Sequence, residues 1–292
     1  MCPVVRLARI YQALLRPLCL RAHFPAKRDI VWNLMLPQRT LRMAIPRPQI
    51  VISVGARRYD LSTAQDVSLH INHDHAPHAF GLPPARFDPF RIGSFVGSIE
   101  EGGPVRCDVV TVAPHGNGTH TECIGHIAGK GYTIPALMSD VMDEATLISV
   151  PTSMLDGDTV VSAHDLDAAW TDRTTSTLII RTLPNADAKR TMHWSGDNPP
   201  YIHIDAMKLI VEHGVRHLMV DLPSVDREED QGALVAHHHF WQWPHAPRLD
   251  CTITELVYVP DNIPDGRYLV VFNVAPFDGD AAPSRPMLIT NY

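Results

Sequence analysis

The chain has 292 residues, enough for one large domain or two small ones, with 45% hydrophobic and 20% charged residues as in ordinary globular proteins. The net charge of −7 argues against nucleic acid as a partner, and no apolar run approaches the roughly 18 residues of a membrane span. Seventeen histidines leave open metal ligation, proton transfer or no special role, while 25 prolines predict many loops.

The N-terminal segment differs from the rest of the chain. Residues 1–50 hold nine Lys/Arg and one acidic residue, Asp29, a net charge of +8. This resembles an organelle transit peptide but contains no serine, so we predict that residues 1–49 are a basic arm, disordered or loosely attached, or that the true start is Met43. The predicted globular domain covers residues 50–292. Five scattered cysteines without a CxxC pair predict a reducing compartment and a cytoplasmic protein.

The predicted elements of the domain are mostly strands. Strands are expected at 51–61, 105–113, 147–151, 177–183, 217–221, 253–259 and 268–274. Residues 63–104 are rich in Pro, Gly and His and predict a long loop region, a lid or pocket wall. The best helix lies at 204–215, where apolar residues recur at helical spacing and Gly214 gives a stop signal. The sequence therefore predicts an α/β domain weighted toward β, with few helices.

The segment HGNGTHTECIGH, residues 115–126, carries the strongest chemical signal. In a strand, side chains two residues apart point to the same face, so His120 and Glu122 would converge on one point. An imidazole and a carboxylate are ligands for a borderline metal such as Zn²⁺ or Mn²⁺. Spacing alone leaves open either a metal site or a set of hydrogen-bonded core histidines.

Two further histidines of this segment, His115 and His126, can approach His120 and Glu122 only if a neighbouring glycine changes the direction of the chain. His115 lies five residues before His120, an odd separation that would put it on the opposite face unless Gly116 or Gly118 permits a bulge. His126 follows a flexible glycine and could lie beside the metal without binding it, where a general base belongs.

Residues 115–126 resemble the signature of the cyclase superfamily, His-x-Gly-Thr-His-x-Asp-x-x-x-His, a family that includes kynurenine formamidase and isatin hydrolase. This chain departs from it in spacing its first two histidines five apart and in carrying Glu122 in place of aspartate. Further similar segments follow in the family's order at 59–62, 221–226, 254–256, 264–266 and 283–286. The resemblance implies a single cyclase-like domain, of the swivelling β/β/α type with a mixed sheet, and a homo-oligomer.

The resemblance also implies a site. It implies metal ligands at His115, His120 and Glu122, and a second set from Glu255 and one histidine of the triplet 237–239. His237 fits the family spacing best. The implied cofactor is Zn or Mn, one or two ions per subunit, and the general acid/base position falls on His126.

These residues predict a metal-dependent hydrolase with a small-molecule substrate. Metal-bound hydroxide would attack the carbonyl of a formamide, aryl-formamide or lactam, and His126 would pass the proton to the leaving nitrogen. One alternative is a metal-dependent cyclase or dehydratase acting on another carbonyl substrate. Another is a metal-binding or ligand-binding protein without turnover.

Other residues carry weaker signals. His78 and Phe80, in the long loop, are predicted to contact substrate, against the simpler interpretations of a solvated loop or core packing. Cys123 is predicted to point away from the metal, since adjacent strand residues face opposite ways. The charged run 226–230 is predicted to be a solvated turn.

Overall fold

A computed structural model describes residues 49–72 and 76–291, so the predicted arm lies outside the described residues except for Gln49. The described strands are β1 (Val51–Val54), β2 (Arg57–Asp60), β3 (Gln65–Asp66), β4 (Arg86–Pro89), β5 (Arg91–Ile92), β6 (Phe95–Val96), β7 (Asp108–Thr111), β8 (His120–Cys123), β9 (Met142–Pro151), β10 (Ser153–Leu155), β11 (Asp158–Val161), β12 (Thr177–Leu183), β13 (Tyr201–Ile202), β14 (His217–Val220), β15 (Thr252–Glu255), β16 (Gly266–Val271), β17 (Ala281–Pro283) and β18 (Met287–Thr290). The described helices are α1 (Gly125–Ala128), α2 (Ile134–Leu137), α3 (Ala163–Ala169), α4 (Ile204–Glu212) and α5 (Val235–Trp241), with 3-10 turns at Leu61–Thr63, Pro114–Gly116 and Asp187–Arg190.

The largest sheet has nine strands in the order β17-β8-β15-β14-β12-β9-β16-β18-β3. Its four central strands, β15, β14, β12 and β9, run parallel to one another, and the strands on either side pair antiparallel. Parallel neighbours need crossover connections, and helices α3, α4 and α5 lie in these connections along the chain. The architecture is the predicted one: a mixed sheet in an α/β domain weighted toward β.

Both faces of the central sheet are buried, which explains its apolar sequence. In β12, Leu178 and Ile180 pack in the cluster that includes Met207 of α4 and Phe240 of α5. Ile179, between them, packs in the cluster on the other face. A parallel strand that is buried on both faces therefore has a continuous apolar sequence, without the alternation of apolar and polar residues seen in a strand with one exposed face.

Several predicted elements are confirmed and others differ. The strands at 147–151 and 177–183 and the helix from Ile204 form as β9, β12 and α4. The predicted strand 51–61 is instead the hairpin β1–β2, which turns at Gly55. The strand predicted at 105–113 forms over a shorter range as β7, which pairs with β4 outside the main sheet and leaves Val109 half exposed. The long loop region contains the short strands β3 to β6. None of the helices in the described ranges is long and apolar enough to cross a bilayer.

One buried ion pair ties two strands of the sheet together. Lys189 Nζ lies 2.8 Å from Asp221 Oδ2 and also donates to the carbonyl and hydroxyl oxygens of Thr182. Asp221 is 1% exposed and accepts the backbone N–H of Thr182 as well. Removing one partner leaves a charge buried and unpaired, which is costly.

We expect Lys189→Met to lower the free energy of unfolding by about 3–5 kcal/mol, because Asp221 would stay buried without its cation. Lys208→Met is the matched control, since Lys208 pairs at 2.9 Å with the exposed Asp205 and should have little effect. Urea denaturation followed by circular dichroism measures both. Equal stability of the two variants would contradict this role of the pair.

Candidate metal centre

Strand β8 presents two site residues on one face. It pairs antiparallel with β15, which places Glu255 directly opposite His120, and His120 Nε2 lies 3.3 Å from Glu255 Oε2. On the other face, the hydroxyls of Thr121 and Thr254 are hydrogen-bonded at 2.8 Å. The alternation predicted for this strand is therefore confirmed, and Glu122 lies on the same face as His120.

Glu122 lies at the centre of a group of imidazoles. Its side chain is fully buried. Oε1 lies 3.0 Å from Nε2 of His237, and Oε2 lies 3.2 Å from Nδ1 of His115 and 3.8 Å from Nδ1 of His126. One carboxylate thus connects residues from the signature segment with a helix more than a hundred residues later in the chain.

A second glutamate completes the buried side of the cluster. Glu255 Oε1 accepts a hydrogen bond from the backbone N–H of Val225 at 3.0 Å, which leaves Oε2 directed at His120. Nε2 of His237 lies 3.8 Å from Glu255 Oε1. His237 therefore lies between the two glutamates and contacts both.

The outer nitrogens of His120 and His237 are held by acceptors. Nδ1 of His120 donates to the carbonyl of Gly118 at 3.0 Å, and because a carbonyl only accepts, the lone pair of the neutral ring is on Nε2, toward Glu255. Nδ1 of His237 lies 2.6 Å from Asp226 Oδ2. Metal-binding histidines typically have such an outer partner, which fixes the ring and its tautomer.

His115 reaches the cluster by a route that differs from the prediction. No strand joins it to β8; it lies in the 3-10 turn Pro114–Gly116, which directs its ring at Glu122. The expected bulge within a strand is therefore wrong. Gly118 has φ +145°, and a Cβ there would lie 2.9 Å from Ile71 Cγ1, while a Cβ on Gly116 would lie 2.8 Å from Leu82 Cδ1. The two glycines permit both the turn and its close packing against the preceding loop.

The electrostatics of the cluster are dominated by its buried charges. Burial raises the pKa of Glu122, but the charges of His126 and His237 outweigh this and hold it well below its usual value. Burial lowers the pKa of His237, whereas the Glu122 carboxylate and the hydrogen bond to Asp226 raise it well above the usual value. Burial lowers the pKa of His115, but the hydrogen bond to Asp280 and the adjacent Glu122 carboxylate outweigh this and raise the pKa to about 10.

The cluster fits a divalent cation. Two buried atoms of the cluster, His120 Nε2 and Glu122 Oε2, lie near Glu255 and His115 but not in hydrogen-bonding geometry, so they are left unsatisfied. Ligand atoms of His115, His120 and Glu122 lie within 4.8 Å of one another, as do those of Glu122, His126 and His237. Imidazole nitrogens with carboxylate oxygens are the ligand set of Zn²⁺ and similar ions. A cation would supply the partner that the unpaired atoms lack.

One side of the cluster is open. His120, Glu122, His237 and Glu255 are at most 3% exposed, but the side chains of His115, His126 and Asp280 are 25%, 27% and 41% exposed. A cavity of about 500 Å³ adjoins this side. It is lined by Gly125, 129–133 and 278–280. The size is in the range of small-molecule sites.

The remaining predicted site residues lie elsewhere. His78 stacks on His193 with 3.9 Å between ring centroids, and both line a separate cavity of about 160 Å³. Phe80 is 38% exposed. No hydrogen bond or ring contact among the described residues joins His78 or Phe80 to the imidazole cluster, and their role in substrate binding stays a prediction. Cys123 packs with Ile134 and Ala282, away from the cluster.

The triplet 237–239 is divided between two surroundings. His237 faces Glu122, whereas His238 and His239 line a surface cavity on the far side of α5, and Nδ1 of His238 lies 3.4 Å from the carbonyl of Trp243. A helix advances about 100° per residue, so consecutive histidines cannot share one face. His237 is therefore the histidine of the triplet that a cation in this cluster would meet.

Two carboxylates of the site were missed by sequence reasoning. The charged run predicts a solvated turn at Asp226, but this residue is 8% exposed and accepts the backbone N–H groups of Ala236 and His237. Its place in the segment 221–226 could have indicated this role. Asp280, which lies 2.8 Å from His115, gave no local signal, since only the pairing of β17 with β8 brings it to the cluster.

The family model described as "putative cyclase" matches residues 44–227. The chain belongs to the cyclase family. Kynurenine formamidase from Bacillus thuringiensis (strain Al Hakam) is 28% identical to this cyclase-family chain over 193 residues, which cover 65% of the chain and 83% of that enzyme.

Solved structures share the cyclase-like fold. A predicted metal-dependent hydrolase from Bacillus stearothermophilus matches with a TM-score of 0.56 and 19% identity, over 77% of this chain and 97% of that one. Isatin hydrolase A from Labrenzia aggregata, bound to benzyl benzoate, matches with a TM-score of 0.55 and 14% identity, over 78% and 93%. At these identities the likeness shows the fold, and the expectation of a single cyclase-like domain is confirmed.

His237→Ala should weaken Zn²⁺ binding to the EDTA-treated cyclase-family protein by at least about tenfold, since even outer partners of metal ligands have effects of about 10–100-fold. His238→Ala is the matched control, because the neighbouring imidazole lies away from Glu122. Isothermal titration calorimetry measures both affinities. Equal affinities in the two variants would remove His237 from the ligand set.

Zn²⁺ affinity should rise with pH between about pH 6 and 8. The pKa of His115 near 10 keeps its ring protonated in this range, and a cation binds only the unprotonated ring, so binding must release that proton. Each proton released tightens the apparent Kd by up to about tenfold per pH unit. Calorimetry in buffers of different ionisation enthalpy counts the protons. An affinity independent of pH would contradict this protonation state.

Proposed function

We propose that this cyclase-family protein is a metal-dependent hydrolase of a small molecule, cleaving an amide-type C–N bond in a formamide, an aryl-formamide or a lactam. The observation that carries the proposal is the asymmetry of the cluster. Its candidate ligands are buried on one side, and the partly exposed imidazole of His126 lies on the other. A structural metal site would instead be closed.

The residues that would hold the cation are His115, His120, Glu122, His237 and Glu255. Glu122 contacts His115 through one carboxylate oxygen and His237 through the other, so it suits a bridging position if two ions bind. A bound Zn²⁺ or Mn²⁺ would lower the pKa of water toward about 7 and polarise a carbonyl. The protein side chains would fix the position of the cation and carry out the proton transfer.

His126 is the proposed general acid/base. It follows Gly125 at the start of α1, its side chain is 27% exposed, and Nδ1 lies 3.4 Å from Asp280 and 3.8 Å from Glu122. With Nδ1 directed at these carboxylates, Nε2 remains for water or substrate. The ring would accept a proton from the attacking water and deliver it to the leaving nitrogen.

Two relatives support an amide-type substrate. A kynurenine formamidase is similar over two thirds of this chain, and an isatin hydrolase shares the fold. The cavity of about 500 Å³ beside the open side suits a small molecule. A homo-oligomer and a cytoplasmic location stay predictions.

His126→Gln should lower kcat by about 10²–10⁴-fold, the usual contribution of a general acid/base, while Zn²⁺ affinity stays close to that of the wild type. The assay uses an N-formyl-aniline and a bicyclic lactam with the Zn²⁺-loaded and the Mn²⁺-loaded protein. His238→Ala should keep its activity.

Two outcomes would count against the proposal. If neither substrate class is hydrolysed by any metal-loaded form, the amide-hydrolase assignment is wrong. If His126→Gln retains the wild-type kcat, the hydrolase assignment stands and the role of His126 is wrong.

A further inference from the structure

Asp280 lies between the two partly exposed imidazoles of the site, those of His115 and His126. It immediately precedes β17, and a single carboxylate oxygen, Oδ2, lies 2.8 Å from Nε2 of His115 and 3.4 Å from Nδ1 of His126. The rings of His115 and His126 are close, with 4.3 Å between their centroids. One carboxylate oxygen can therefore accept hydrogen bonds from two imidazoles, that of His115, a candidate metal ligand, and that of His126, the proposed general acid/base.

A neutral imidazole has one N–H and one nitrogen with a free lone pair. His115 presents Nδ1 to Glu122 and Nε2 to Asp280, so it can offer a lone pair to a cation on only one of these sides. Both neighbours are carboxylates, but the side of Glu122 is also the side where His120 presents a ligand atom, so a cation would be bound there. In the loaded site Nδ1 would therefore give up its hydrogen, and Nε2 would keep the hydrogen that it donates to Asp280. The lone pair of His115 is then on Nδ1, toward Glu122.

The same reasoning applies to His126. If Nδ1 donates to Asp280, the lone pair is on Nε2 and is free to accept a proton. We propose that Asp280 is a positioning residue that selects both tautomers at once. It leaves Nδ1 of His115 for the cation and Nε2 of His126 for proton transfer. The part concerning His126 rests on the proposed function.

The position of Asp280 is built into the fold. Its carbonyl accepts the backbone N–H of Cys123 at 2.9 Å, so the backbone is fixed to the end of β8. Gly125 makes the approach possible, because a Cβ there would lie 3.0 Å from Asp280 Cβ and 2.2 Å from the carbonyl of Tyr132. The close approach of β17 to the signature segment thus depends on a glycine next to His126.

Asp280 completes a pattern in the cluster. Nδ1 of His120 is held by a backbone carbonyl, and Nδ1 of His237 is held by Asp226, each leaving Nε2 toward a glutamate. For His115 the arrangement is reversed, with Nε2 held and Nδ1 directed inward. Asp280 is the acceptor that accounts for this reversal.

The test compares Asp280→Ala and Asp280→Asn with Asp278→Ala. Asp278 is the matched control, since it lines the same cavity and has no hydrogen bond to a histidine among the described residues. Long-range ¹H–¹⁵N NMR of the Zn²⁺-loaded protein identifies the protonated nitrogen of each ring, and calorimetry gives the Zn²⁺ affinity. Neither readout needs a substrate, so a failed activity screen would contradict the proposed function without deciding the role of Asp280.

The wild type and Asp278→Ala should show His115 protonated at Nε2 and His126 protonated at Nδ1. Asp280→Ala should lose the single tautomer of His126 and bind Zn²⁺ about 10–100-fold more weakly. Asp280→Asn keeps an oxygen that can accept an N–H, so both rings should retain their wild-type tautomers. Its Zn²⁺ affinity should lie between that of the wild type and that of Asp280→Ala. Wild-type tautomers and affinity in Asp280→Ala would overturn the proposal. So would an equal loss in Asp278→Ala, which would indicate a general charge effect.

Discussion

The buried carboxylate of Glu122 is the constraint on which the rest of the site depends. An ionised carboxylate without solvent needs positive charge or N–H donors close by, since an isolated buried charge is very costly. Here the requirement is met by imidazoles from three places in the chain: a turn, a short helix and α5. In the cation-free protein, protonated imidazoles can supply the positive charge that Glu122 needs. In the loaded protein, a divalent cation can supply it in place of their protons. The same geometry thus serves the folded protein and the loaded site.

The sheet brings these residues together through strand pairing. Strand β8 lies between β15 and β17, so one neighbour delivers Glu255 opposite His120 and the other delivers Asp280 beside the signature segment. The parallel centre of the sheet provides the support, with apolar clusters packed on both faces. His237 and its partner Asp226 come from the connection between β14 and β15. The site residues are far apart in the sequence, and the register of a few paired strands brings them together.

The sequence predicts the parts of the molecule that depend on local pattern. Alternation placed His120 and Glu122 on one face, and long apolar runs located β9 and β12, because a period or a composition is a local property. The β-branched run at 105–113 predicts a strand, and β7 forms within it, but residues such as Val109 do not determine which sheet a strand joins. The place of Asp280 depends on contacts between distant segments, and no residue next to it in the sequence indicates that contact.

The two glycines beside His115 also couple the site to the loop that precedes it. A side chain on Gly116 would meet Leu82, and one on Gly118 would meet Ile71, so the turn that carries His115 packs directly against these two loop residues. Neither surface can be remodelled independently. A larger side chain at either contact would push the turn that carries a candidate ligand, so a change in the loop would also change how the site holds a cation. Efforts to redesign this region must treat the loop and the signature segment as one unit.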